Sequence, residues 1–519
     1  MGEQGAPWWE QRCGVALLAL LAAMPLLWPD IPPLVDLPGH MGRYRVQMEI
    51  AHSPLLQQFY SFEWSLIGNL GVDLLVVPLS ALFGLEPAVK LIVLAIPPMT
   101  VAGFLWVARE VHGRVPPTAL FAVPLAYNFP FHFGFVNFAL SMAFAFLAFA
   151  LWLRLARLGR LKLRAMLFVP ISLLIWVTHT FGWGSLGVMA FSAELVRQHD
   201  KGRGFIHSGL RSAVHCLALA PPVLLMLAWR GGHVGGQTGD WFNWEAKFAW
   251  FLMALRDRWM WFDIWSLVAL LSLLAAALFI RRIGFSRNLA ASAIFLLLVY
   301  LILPRIVFGS AYADMRLVPY LLAVAVIAIR FRDTAGPRFT RAVGLAALAF
   351  VLLRTGGTTW SYWLYDRDYD RQLQALHHVP EGARLVSFVG TSCIRPWKMS
   401  RLEHLPAIAL VRNRAFSNDQ WSMAGAQLLR TTYEPGYGYR RDPSQMVVER
   451  RCGGEPWRTV EESLRGFPRG AFDFAWVIDP PPYDPAAAVG LEPVWRSGTS
   501  VLYRVASRTQ PPRAGRPPS

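Results

Sequence analysis

Eleven apolar runs separated by short, arginine-bearing loops constrain this chain more than any other feature. They lie at 13–28, 88–108, 118–131, 135–153, 165–179, 181–196, 212–229, 262–280, 288–304, 316–330 and 342–355. An upright membrane helix needs ~20 apolar residues, so several of these runs have soft boundaries. The chain is 55% hydrophobic and only 16% charged. With its charges bunched between apolar runs, that composition predicts a polytopic α-helical membrane protein rather than a soluble one. The net charge of +17 is read as topology, because the arginines sit in short loops; no nucleic-acid partner is implied. The run at 13–28 is followed by Trp28-Pro29-Asp30. That is not a small-residue cleavage site, so the run is expected to be retained as a helix.

The basic loops set parity. They are Arg109/Arg114; Arg154/Arg157/Arg160/Lys162/Arg164; Arg197/Lys201/Arg203/Arg211; Arg281/Arg282/Arg287; and Arg330/Arg332/Arg338/Arg341. Two apolar runs separate each successive pair, which places all five loops on one side, the cytoplasm. The same parity splits 165–196 into two crossings, with a turn at His179–Gly184. Residues 66–83 are ambiguous. If they cross, the Asp36 loop faces the cytoplasm, as Arg43 and Arg45 favour. If they lie in the interface, that loop faces outward, as Asn69, Asp73 and two glycines within the run favour. We take the second arrangement. It gives about eleven crossings of the cytoplasmic membrane, a cytoplasmic N-terminus and an outer C-terminus. The cluster Trp360, Tyr362, Trp363, Tyr365 suits an aromatic belt at the last exit.

The expected organisation is therefore a membrane domain at 1–365 (first outer loop 29–87), a small extracytoplasmic α/β domain at 366–506, and a disordered Pro- and Arg-rich tail at 507–519. Within the outer domain, RLVSFVG (384–390), AIALV (407–411), FDFAWVID (472–479) and TSVLYRV (499–505) read as strands, and 366–379 as an amphipathic helix. Cys393 and Cys452 are the only cysteines there, which makes a disulfide a natural expectation in an oxidising compartment. Cys13 and Cys216 fall in apolar runs and read as packing residues.

The chemistry is concentrated in DLPGHMGRYR, Asp36 to Arg45, just beyond the first apolar run. Asp36, His40, Arg43 and Arg45 supply groups that deprotonate a hydroxyl, hold a metal or bind a phosphate. The plainer alternative is that they cap an interfacial helix. Other outer segments carry Glu63, His132, His179, Asp240, Arg305, Asp314 and Arg316. A lone histidine in such a loop is more often an interfacial hydrogen-bonding residue than a ligand. No HExxH, cysteine zinc pattern, P-loop or strand-borne GxGxxG is present. Arg316, at the outer start of a run and followed by Leu-Val-Pro, either clamps a lipid phosphate or snorkels to the interface.

This layout resembles the GT-C superfamily of integral membrane glycosyltransferases, which use polyprenyl-phosphate sugars. Asp36 matches the acidic residue of that family's first outer loop. Residues 66–83, followed by Phe83-Gly84, resemble its juxtamembrane helices. Arg109–Arg114 matches its first basic cytoplasmic loop, and Arg316-Leu-Val-Pro its Arg-Tyr-x-x-Pro. The likeness covers roughly residues 10–360 and lies in layout more than in sequence. It implies sugar transfer from a polyprenyl-phosphate donor to a glycan, lipid or protein acceptor at the outer face. Asp36 would be the catalytic base, and His40, Arg43, Arg305 and Arg316 would bind substrate. The second acidic motif common in the family is missing, since the next outer loop offers Asn128, His132 and Asn137. A divalent metal, if used, would recruit Glu63, His132 or His179. The competing readings are a transporter or flippase of lipid-linked glycans and a non-catalytic membrane assembly protein. A transporter would need ionisable residues in mid-helix, and Asp73 is the main one visible.

Overall fold

The computed structural model describes residues 7–230, 237–307, 309–394, 396–422 and 427–505. The protein is mostly helical, at 61%. Among the described residues, five helices are long and apolar enough to cross a membrane: Leu85–His112, Val136–Arg157, Leu161–Thr178, Met260–Phe279 and Pro337–His378, the last ending in a 3₁₀ turn. A sixth is possible if the bent pair Phe205–Leu219 and Pro221–Leu227, which meet at 66°, is one span. The other apolar runs form shorter pieces. Arg12–Leu21 and Val318–Ile327 have 10 residues each, about 15 Å of helix against a hydrocarbon layer of about 30 Å. The run at 118–131 is broken into the 3₁₀ helix Pro117–Ala126 and the short helix Phe129–Phe133. Pro117, Pro124 and Pro130 each remove an amide donor there.

The chain folds as two compact units, Met1–Leu34 with Ser65–Leu364, and Val35–Trp64 with Tyr365–Ser519. In the first unit, residues 66–83 contain a 13-residue helix, Gly71–Phe83. It turns into Leu85–His112 through Gly84 at φ +82°, a conformation that glycine reaches at little cost. The stretch 165–196 is two helices, but the break is the single extended residue His179, and Gly182 and Gly184 lie inside the second helix. His179 accepts the Phe181 amide and so caps that helix itself (3.1 Å).

The first unit also buries more charge than its sequence suggests. Arg164 reaches Glu194 at 3.1 Å, Lys247 reaches Asp314 at 3.2 Å, and Arg354 reaches Asp263 at 2.7 Å, all six residues being buried. Arg354 also donates to the Leu255 carbonyl (3.1 Å). Buried charges survive in low dielectric only with such partners.

The second unit is built on a six-stranded sheet. Its elements are helix α1 (Leu37–Glu49), strands β1 (Tyr60–Phe62) and β2 (Leu385–Gly390), helix α2 (Ala407–Asn413), strands β3 (Leu429–Thr431), β4 (Met446–Val448) and β5 (Arg458–Thr459), helix α3 (Val460–Gly466), and strands β6 (Phe474–Ile478), β7 (Leu491–Ser497) and β8 (Ser500–Val505). The sheet order is β5-β4-β2-β6-β8-β7, with β1 and β3 pairing separately. Strands β5, β4, β2 and β6 run parallel, and β8 and β7 continue antiparallel. Strand β6 is buried throughout and β2 in all but its last residue, as strands covered on both faces should be. Val46, Leu56, Phe59 and Tyr60 share one core with Val386, Phe388, Phe416 and Val477. The sequence groups the whole first loop with the membrane domain, whereas this apolar contact places residues 35–64 in the sheet-bearing unit.

Two further differences concern local structure. AIALV is not a strand but the helix α2, all five residues buried; a short, wholly apolar run carries no period to separate strand from helix. Residues 366–373 continue the helix Pro337–Leu373. Cys393 and Cys452 are disulfide-bonded, with Cα atoms 5.4 Å apart. The tail at 507–519 lies outside the described residues.

Candidate active site in the second unit

Helix α1 carries the motif that the sequence singles out, and its spacing now has a physical explanation. A Cβ on Gly39 would lie 2.8 Å from the Trp421 ring, and one on Gly42 2.7 Å from the Gln420 amide and 3.2 Å from Ala407 of α2. The two glycines, three apart on one helical face, let the 419–421 segment and α2 approach α1 at near-backbone distance. Gln420 Nε2 then donates to the Gly39 carbonyl (3.2 Å).

This close packing assembles a cluster of charge. His404 Nε2 lies 4.0 Å from Asp36 Oδ1, and its Nδ1 lies 3.7 Å from Asp419 Oδ2 and donates to the Asp419 carbonyl at 3.1 Å. Asp419 is fully buried and held from several sides: it accepts the Ser417 hydroxyl (2.7 Å) and the Ala407 amide (3.1 Å). The Trp421 ring lies against both imidazoles, 4.3 Å from His404 and 5.0 Å from His40 between centroids.

The two histidines are pushed apart in basicity. For His404, burial opposes the charged form, but hydrogen bonding to Asp419 and the charges of Asp442, Asp36 and Asp419 outweigh it and raise the pKa to about 9. For His40, burial, the Arg43 guanidinium and His404 all act against the proton and hold it well below the usual imidazole range. His40 Nδ1 is buried without a hydrogen-bond partner among the described residues. Asp442 is raised by burial, with His404 and Gln445 opposing. A cationic imidazole that can donate and a neutral one that can accept thus share one indole. Environments that separate paired titrating groups in this way are what acid–base chemistry at neutral pH requires.

Of the residues the sequence proposes, Asp36, His40 and Arg43 all lie in or beside this cluster. Arg43 is buried, donates to Gln427 Oε1 (2.7 Å) and lies 5.2 Å from the Tyr44 centroid. Arg45 is used structurally: it donates to the Val411 carbonyl (2.9 Å) and pairs with Glu49, which Arg414 also binds. Glu63 follows β1, its amide bonded to the Leu428 carbonyl.

The remaining candidates belong to the first unit. His132 is buried, with Nδ1 3.1 Å from the Tyr362 hydroxyl. His179 lies against Phe138 and Phe181. Arg316 lies over Phe135 (4.3 Å) and reaches Ser310 (3.3 Å), and Arg305 pairs with Asp240. Among the described residues no three His, Cys, Asp or Glu side chains are grouped to hold a metal.

Sequence reasoning missed His404, Asp419, Trp421 and Asp442. The available signal was weak. SNDQW reads as a polar turn, yet Ser417, Asn418, Asp419 and Gln420 are all buried. Compared with known proteins, the chain matches no family model, no curated protein and no solved structure.

Proposed function

We propose that this chain is a membrane glycosyltransferase that moves a sugar from a polyprenyl-phosphate donor to an acceptor hydroxyl. The observation that carries this reading is the juxtaposition of Asp36 with His404, 4.0 Å apart, and of His404 and His40 against one Trp421 ring. In the proposed step the acceptor oxygen forms a bond to the anomeric carbon and the bond from that carbon to the donor phosphate oxygen breaks. The electron pair leaves with the phosphate, and Asp36 takes the hydroxyl proton. His404 orients the carboxylate through its charge, as a positioning residue. The 4.0 Å spacing suits a site whose hydrogen bonds tighten when substrate arrives. By the resemblance, Arg316 and Arg305 are the proposed ligands of the donor phosphate.

The proposed topology has eleven crossings of the cytoplasmic membrane, a cytoplasmic N-terminus and an outer C-terminal domain. Five to six long apolar helices support a membrane location, and the parity of the basic loops supports the count. An impermeant thiol reagent should label engineered cysteines near residues 40 and 240 and not near 160.

The direct test is purified protein in liposomes with a synthetic polyprenyl-phosphate sugar. Release of polyprenyl phosphate coupled to glycan formation supports transfer; intact donor with every acceptor contradicts it. One observation favours a transporter instead, the buried Asp263–Arg354 pair between long apolar helices. Movement of unmodified donor between leaflets would select that reading.

A further inference from the structure

The segment Asp240–Leu252 of the first unit has its polarity inverted. Lys247 is buried and Asn243 half-buried, while Glu245 alone of its polar side chains is exposed, as a charge at the headgroup level can be. Lys247, only 4% exposed, donates to the carbonyls of Tyr300 (2.8 Å) and Leu303 (2.7 Å) at the end of helix Arg287–Ile302 and to Asp314 (3.2 Å). A lysine there meets carbonyls that the helix itself leaves unpaired. Asp240 pairs with Arg305 and accepts from Asn243 (3.2 Å), which also caps helix Trp244–Leu252 by accepting the Ala246 amide (3.0 Å). Gly239 and Ile306 exchange backbone hydrogen bonds at 3.1 and 3.2 Å. The segment is therefore anchored at its start and through Lys247 within its helix.

Its aromatic groups point outward. Trp241 is 54% exposed, Phe242 50%, Trp244 58% and Phe248 68%. Phe242 is held at φ +56°, a region that bulky side chains rarely occupy. Water does not favour an arrangement that hides a lysine and displays two tryptophans and two phenylalanines.

The flanking chain identifies what covers this face. Before it lies the bent apolar pair Phe205–Leu219 and Pro221–Leu227, with Leu224 and Leu227 exposed. After it comes Met260–Phe279, one of the five long apolar helices, whose first turns expose Trp261 and Trp265. Helix Trp244–Leu252 has 9 residues, about 13 Å, too short to cross. Indole and phenyl groups concentrated beside a membrane helix match the headgroup–hydrocarbon boundary.

We propose that Asp240–Leu252 is an in-plane membrane element whose aromatic face is embedded in the lipid headgroup–acyl boundary. This assignment does not depend on the transferase reading. It is tested in the full chain with Cys13→Ser and Cys216→Ala, which leaves the Cys393–Cys452 disulfide in place. Phe248→Cys carries a bimane label in liposomes containing lipid spin-labelled near the top of the acyl chain. Tyr437→Cys, at a position 75% exposed in the second unit, is the reference. Lipid quenching should reduce emission at 248 by about half, while aqueous iodide has little effect there, as for an interfacial helix face. Iodide quenching equal to that at 437 would show a water-facing segment and overturn the proposal. Protection from both quenchers would show a protein-covered face, a partner or a second copy, and would equally overturn it. Trp244→Cys gives the same readout if the 248 variant does not yield folded protein.

Discussion

The two units handle buried charge in different ways. In the first, the buried carboxylates Asp263 and Glu194 are met at hydrogen-bond length. Asp263 receives Arg354 at 2.7 Å and the Asp257 amide at 2.9 Å, and Glu194 receives Arg164 at 3.1 Å together with Arg197 and Gln198. Such close pairs tie together the helices that carry them. In the second, His404 faces Asp36 at 4.0 Å and Asp419 at 3.7 Å, with Asp442 also acting on its charge. Asp419 is tied down by its own donors, and Asp36 lies 4.0 Å from His404. The difference teaches where to look for chemistry. A closed pair resists change, whereas the 4.0 Å spacing of His404 and Asp36 is longer than a hydrogen bond and can tighten.

The largest effect should come from breaking a closed pair. Arg354→Ala strands Asp263 in the bundle and should destabilise the first unit by about 3–5 kcal/mol, the usual cost of an uncompensated buried charge. Thermal unfolding in detergent would measure it, and a loss below about 1 kcal/mol would mean that the pair is not closed.

The next concerns the open cluster. His404 is raised from the ordinary value of 6.5 to about 9, so its protonated form stabilises the fold. That contribution is full below pH 6.5 and fades as pH rises through about 9, by at most roughly 3 kcal/mol. Stability measured at pH 6 and pH 10 should fall in the wild type and change much less in His404→Gln. Equal pH profiles would show that His404 is not charged by its neighbours.

A smaller effect sharpens the packing argument. Gly39→Ala places a methyl against Trp421 and should cost about 1–3 kcal/mol, typical of overpacking. Neutrality would show that α1 and the 419–421 segment can separate cheaply.

How much of this was legible in the sequence follows from physical range. DLPGHMGRYR announced itself because five ionisable or turn-forming residue types crowd into ten positions beside an apolar run. Strands β2, β6 and β8 were readable from β-branched and aromatic runs. The partners of Asp36 were not readable, since His404 and Asp419 come more than 360 positions later and only tertiary packing joins them. Strand β7 was hidden by Pro493 and its alternating charges. Arg354 was overlooked because it sits at the edge of an apolar run, where an arginine ordinarily snorkels; in the structure it turns inward to Asp263.

The central claim is that Asp36 takes the acceptor proton, and one comparison tests it most directly. Wild type and Asp36→Asn are assayed side by side for sugar transfer from polyprenyl phosphate in liposomes, with donor binding measured in parallel. The substitution keeps the shape and removes the basicity, so turnover should fall by about 100-fold or more while donor binding holds. Normal turnover in Asp36→Asn would contradict the account and leave the cluster around His404 as packing alone.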